Sequence, residues 1–296
     1  MKRSTWTLLG ILVVLGLVTF LVLQRHGEIS SSGSMGQKLV TYDSSAVDRL
    51  DITTSRQTVV LAREGGKWMM KEPLSYPADE AFVNAAIGKG ASLELKDLVS
   101  SNPQKQNLFQ VDSTGTFIRV YERGTEKTAF WIGKTGPSYT ETYVRRNGLN
   151  DVYLADGMFG YMFTKQPKDW RDKTIFKADP STVSSVRFRY GDTTFALTRP
   201  DSIWLADQDS TVESAVKGFL GTLANLQTDN FIDSAVTLST PTAVIEVGGV
   251  QIQFYFNKDA NNYAVRTSMT PQVFEILPWR AGQVLKRKRD FIPPRG

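Results

Sequence analysis

No cysteine occurs in this chain, and its one histidine, His26, directly follows an apolar run near the N-terminus. The first absence excludes disulfides, thiolate metal sites, cysteine nucleophiles and a lipid-modified cysteine at a membrane. The second leaves no Ser-His-Asp triad, Cys-His pair or multi-histidine metal centre to a folded body downstream. A basic face is lacking too. The formal charge is +5, but Lys2, Arg3 and Arg25 flank the apolar run, and Lys286, Arg287, Lys288, Arg289 and Arg295 stand in the tail with one acid, Asp290. Without these ends, 27 bases face 29 acids. So balanced a body carries no nucleic-acid footprint.

Trp6 to Leu23 is 18 residues without a charge. As a helix it spans about 27 Å, near the thickness of a bilayer core. Two bases before it and one after place the N-terminus in the cytoplasm by the positive-inside rule. A cleaved signal peptide is the rival, but the following QRHGEIS has no small-x-small site. The expectation is a single-pass transmembrane anchor over residues 1–25 in the cell inner membrane, with an extracytoplasmic body. Residues 26–37 are rich in Ser and Gly and read as a flexible linker.

The body contains one stretch twice. Asp43–Trp68 and Asp179–Trp204 align without a gap at a shift of 136 positions. Asp43/Asp179, Ser45/Ser181, Val47/Val183, Thr58/Thr194, Leu61/Leu197, Arg63/Arg199 and Trp68/Trp204 are identical. Such self-similarity signals a duplicated unit. Alternating apolar residues with Ser55-Arg56 or Gly191-Asp192 between them predict strand, two-residue turn, strand. The paired Trp reads as a core anchor.

Phe82, Val83, Ala86 and Ile87 have the spacing of an amphipathic helix, with Asp79 as N-cap and Gly88 and Gly90 as stops. Asp79 and Glu80 read as first-turn acids set against the helix dipole. At a shift of 133, Val216, Phe219, Leu220 and Leu223 repeat the stripe, and Ser210 to Glu213 has capping-box form. Strands then follow around Leu93–Val99, Thr116–Glu122, Ala129–Ile132, Tyr143–Arg145 and Asp151–Leu154, the last two flanking Asn147-Gly148. Their counterparts, at a shift of 121, are Ala264-Val265-Arg266 and Gln272-Val273-Phe274. Gly133-Lys134-Thr135 lacks the upstream glycine and following helix of a phosphate loop and reads as a strand end. The Met/aromatic patch Asp156–Phe163 reads as core. Trp170-Arg171-Asp172-Lys173 closes the first unit, and Lys288-Arg289-Asp290 stands in the matching place in the second. The predicted class is α+β: an N-terminal transmembrane helix, then two tandem repeats of antiparallel strands with one amphipathic helix each, over residues 38–178 and 179–296.

These residues carry a resemblance. V-x-x-L-x-I, a hairpin, L-x-R and Trp are followed by P-A-D before a helix, then Tyr143-Val144-Arg145, Val152-Tyr153-Leu154 and Arg171-Asp172-Lys173. Over about residues 43–290 the chain resembles a bacterial domain family of unknown function whose members often stand beside gliding-motility-type ABC transporter auxiliary proteins. The resemblance implies a membrane-anchored extracytoplasmic domain with an ABC-transporter association, and supplies no catalytic residue. The second unit departs from the pattern, lacking P-A-D and the Tyr before Val265-Arg266.

The expected function is a non-enzymatic binding or assembly protein, accessory to an ABC-type transport complex. Its partners are the membrane and a membrane-protein complex, with no nucleic acid, metal or small-molecule cofactor. Lys286, Arg287, Lys288 and Arg289 are the candidate partner contact, against a reading as solvated terminus. Two alternatives stand beside it. A cell-wall or glycan-binding module would use Trp131, Tyr139 and Tyr143. A carboxylate-based hydrolase needs two acids facing one cleft.

Overall fold

A computed structural model describes residues 36–294, with Leu12 and Gly16. Nearly all of the expected anchor and of the linker lie outside the described residues, among which no helix is long and apolar enough to cross a membrane. The chain divides into two compact units between Arg171 and Asp172.

In the first unit the strands are β1 (Val47–Thr53), β2 (Thr58–Glu64), β3 (Lys67–Glu72) and β4 (Tyr76–Pro77). Helix α1 (Glu80–Ala91) follows, then β5 (Leu95–Ser100), β6 (Thr116–Glu122), β7 (Thr125–Thr135), β8 (Glu141–Arg146), β9 (Val152–Asp156) and helix α2 (Phe159–Phe163). The strands form one nine-stranded sheet in the order β4-β3-β2-β1-β6-β7-β8-β9-β5. The second unit has β10 (Thr174–Lys177), β11 (Ser185–Tyr190), β12 (Thr193–Thr198), β13 (Leu205–Ala206), β14 (Asp209–Ser210) and helix α3 (Glu213–Leu223). It continues with β15 (Asn225–Gln227), β16 (Asn230–Ile232), β17 (Ala243–Val247), β18 (Val250–Asn257), β19 (Asn262–Thr267), β20 (Thr270–Ile276) and helix α4 (Pro278–Val284). Its sheet, β14-β13-β12-β11-β17-β18-β19-β20-β16, repeats the first strand for strand, while β10 pairs with β15 alone. All these pairings are antiparallel.

The duplication reaches the level of register. Leu50 faces Leu61 across β1–β2, and Val186 faces Leu197 across β11–β12. All four are buried. The other shared residues have local causes. In Asp43 and Asp179 a carboxylate oxygen accepts from the backbone N–H and hydroxyl of Ser45 and Ser181, at 2.7–2.9 Å in both copies. Arg63 lies over the ring of Trp68 at 4.9 Å and Arg199 over Trp204 at 5.4 Å, a cation–π pair that both copies retain. Trp68 is buried and donates to Asn84 of α1 at 3.0 Å, so it pins the helix to the sheet as a core anchor.

The repeat begins earlier than the sequence indicated. Lys38 bridges Glu94, and Thr174 pairs with Gln227 at the matching places. Leu39, Val40, Ile175 and Phe176 are buried beside these pairings. Two apolar residues without an identity carry too little signal to align by eye. The compact second unit includes this first matched strand, Thr174–Lys177.

Helix α1 is capped as expected, with Phe82 N–H donating to the Asp79 carboxylate at 3.0 Å. It runs through Gly88 and Gly90, since both keep helical backbone; a Cβ on Gly90 would stand 2.5 Å from the Tyr42 hydroxyl. The predicted capping box of the second helix does not form. Ser210 belongs to β14, opposite Leu205, and Val212 is the N-cap with no side-chain bond. Each unit also has a short second helix where one was expected. In α2, Phe159 and Phe163 are core, while Tyr161 and the N-cap residue Met158 are exposed.

Each sheet buries one face against its helices. On the first, Ile118, Val120, Phe130, Ile132 and Val144 meet Val83, Ala86 and Ile87 of α1 in one core. The opposite face is covered by the chain between β5 and β6. A 3₁₀ turn (Pro103–Phe109) leads it onto β7, β8 and β9, where Val111 packs against Tyr143 and Val152. Gly133 admits it: a Cβ there would lie 2.1 Å from the Phe109 carbonyl oxygen and 2.8 Å from Val111. The glycine of Gly133-Lys134-Thr135 thus serves close packing inside β7. Gly133→Ala is expected to lift this segment and cost about 1–3 kcal/mol. A urea titration checks it; an unchanged midpoint would refute the account.

Candidate functional site

The residues marked in the sequence as a partner contact form part of a closing strap. Tyr190 donates its hydroxyl to the Lys286 carbonyl at 2.6 Å, and Arg287 lies 3.7 Å over the Tyr190 ring. Lys288 bridges Asp207 at 2.7 Å and Asp209 at 3.0 Å. Arg289 is exposed and makes no ion pair among the described residues. The strap ends in Phe291, buried against Phe188, Phe195 and Phe219. Its carbonyl accepts from Val212 N–H at 2.7 Å.

The first unit closes the same way. Trp170 is buried, and its carbonyl accepts from Asp79 N–H at 2.9 Å. Asp169 accepts from Gln166 N–H as Asp290 does from Arg287 N–H. Asp290 therefore corresponds to Asp169, and Phe291 to Trp170, so the sequence-based match with Arg171-Asp172-Lys173 is out of register. The bond partners of the closing aromatic set the alignment, and the residues between differ.

Burial works to raise the Asp207 carboxyl, but the bonds from Lys288 and from Ala196 N–H outweigh it and hold it below the usual range. Bonds from Asp207 and Asp209 raise Lys288. The depressed Asp207 contributes stability above an unfolded value of about 3.9, lost as pH falls through the folded one. The raised Lys288 contributes below about 10.4, lost as pH rises through its folded value. Lys288→Met is therefore expected to melt lower than wild type between about pH 4 and 10, with the deficit shrinking as pH falls below about 4. Melting curves across pH test this; a deficit that does not shrink on acidification would contradict it. Phe291→Ala is expected to cost about 3–5 kcal/mol by the same measurement.

The other candidates are dispersed. Tyr143 is buried under Phe109 at a ring distance of 4.8 Å, and Trp131 is half-buried against Phe117 at 4.3 Å. Tyr139 is 80% exposed. The three share no open platform. Asp79 caps α1, in line with the reading of it as a helix-end acid. Among the described residues no group of three His, Asp or Glu side chains could hold a metal.

The units differ most on the outer sheet face. Strand pairing makes Arg145, Trp131, Gly133 and Ala129 of the first correspond to Arg266, Gln253, Tyr255 and Gln251 of the second. In the first unit Arg145 is buried and donates to the carbonyls of Val111 and Leu149, both at 2.8 Å. In the second, Tyr255 occupies the place of Gly133, which the covering segment needs empty. The face is polar instead. Tyr255 donates to Gln253 at 2.6 Å, Gln253 to Gln251 at 2.9 Å, and Gln251 to Glu246 at 3.0 Å. Register sets Arg189, Val244, Gln253 and Arg266 side by side, with Arg187, Glu246 and Gln251 in the next row. Arg187, Arg189 and Arg266 are exposed. The Arg187–Glu246 contact is 3.8 Å, and Arg189 and Arg266 make no ion pair among the described residues. Beside them the β19–β20 turn borders a hollow of 410 Å³ lined by Gln251, Gln253, Arg266 and residues 267–271. Sequence reasoning missed this face because its residues lie on four strands, and no local motif joins them.

No curated protein and no solved structure matches the chain. One family does, and its match runs across both units, over residues 68–243. The chain belongs to the family described as a domain of unknown function (DUF4340).

Proposed function

We propose that this protein is a membrane-anchored extracytoplasmic binding or assembly protein, an accessory of an ABC-type transport complex. One observation carries the binding part. Two units of one topology treat the same sheet face oppositely: the first closes it with its own chain, and the second leaves arginines and amides open. Glu246 meets Arg187 at 3.8 Å, which leaves Arg189 and Arg266 exposed as cations with no ion pair among the described residues. The membrane and transporter parts rest on the charge-free run Trp6–Leu23 and on the family resemblance. Purification of the full chain from membranes in mild detergent is expected to recover integral membrane partners, including transporter subunits. Recovery of the chain alone would overturn the proposal.

A further inference from the structure

The first unit contains its own occupant for the face that the second leaves open. Its segment Phe109–Asp112 lies on β7 and β8, presents the Val111 carbonyl to Arg145 at 2.8 Å and buries Val111 against the sheet. An acid follows directly. Burial opposes the charge of Asp112, yet bonds from Thr114 and the nearby Arg145 hold its carboxyl below the usual range. The seated group is thus a turn of polypeptide, left-handed at Gln110, with an apolar residue, a carbonyl on arginine and a carboxylate close by.

The second unit keeps the arginine and lacks the occupant. Arg266 stands where Arg145 does, exposed. Gln253 and Val244 separate it from Arg189 along one row across four strands, about 4.8 Å apart at each step. The amides of Gln251 and Gln253 lie between these cations, each a donor and acceptor matched to a peptide group. Three arginines share the face with two acids, Glu246 and, on β20, Glu275. Tyr255 blocks the path taken in the first unit, so a segment must enter from the β19–β20 turn, where the hollow of 410 Å³ lies.

We infer that the outer face of the second sheet takes an acidic polypeptide segment of a partner protein, with a carboxylate on Arg266 and backbone groups on Gln251 and Gln253. This rests on the reading of the chain as a binding protein and names the surface and the chemistry of what it binds. Arginine suits the role because its planar fork meets a carboxylate in two parallel bonds.

The test is a selection of random octapeptides on the full-length protein in detergent. Bound peptides are expected to be enriched in Asp and Glu and to lose about tenfold in affinity on Arg266→Gln. The double variant Arg189→Glu/Arg266→Glu should lose more, and salt at about 0.5 M should weaken wild-type binding. Both altered positions are exposed, and matching melting curves confirm folding. Peptides without acidic enrichment, or affinities unmoved by the variants, would overturn the inference. Co-purification separates it from the parent proposal. Membrane partners recovered equally by the double variant place binding elsewhere and defeat this inference alone. A wild-type chain that recovers none defeats the parent proposal, and the selection still reads the face directly.

Discussion

A sheet has two faces, and each unit here has helices enough for one. That constraint organises the molecule. An antiparallel sheet tolerates water on its second face only if alternate side chains are polar. The first unit places Trp131, Phe117 and Tyr143 there and must cover them. The second places Gln251, Gln253 and Arg266 there and need not.

The choice is made at one pair of matched positions. Gly133 lets the backbone of Phe109–Val111 approach β7 to within bonding range of Arg145. Tyr255 fills the same place with a ring and turns its hydroxyl to Gln253. Once the ring is present the covering segment has no seat, and the side chains beneath it have to interact with water or with another molecule. Duplication freed one copy to differ on this face, while the buried face stayed constrained by Leu50, Leu61 and Trp68 and their counterparts.

The closing strap follows from a second requirement. A helix packed on the sheet needs its first N–H groups satisfied. Both units supply a carbonyl for the N-cap residue from the last aromatic, Trp170 or Phe291. The basic residues before Phe291 are engaged largely in holding that strap: Arg287 on Tyr190, Lys288 on two aspartates. A charge run at a chain end read as a surface for partners therefore has a structural use within its own unit.

The strands, the paired hairpins, the first helix with its Asp79 cap and the duplication were legible in the sequence, because they rest on local periodicity and on residues a few positions apart. So was the reason for one identity: Trp68 is a residue too large to leave outside a core. Tertiary structure decided what depends on strands far apart in the chain. It set the order of nine strands, joined Lys38 to Glu94, moved Ser210 from a cap into β14 and matched Asp290 with Asp169. It also brought Arg189 and Arg266 into one row across four strands. Strand registry converts separations of tens of residues into neighbours about 4.8 Å apart, and no pattern along the chain records which neighbours those are.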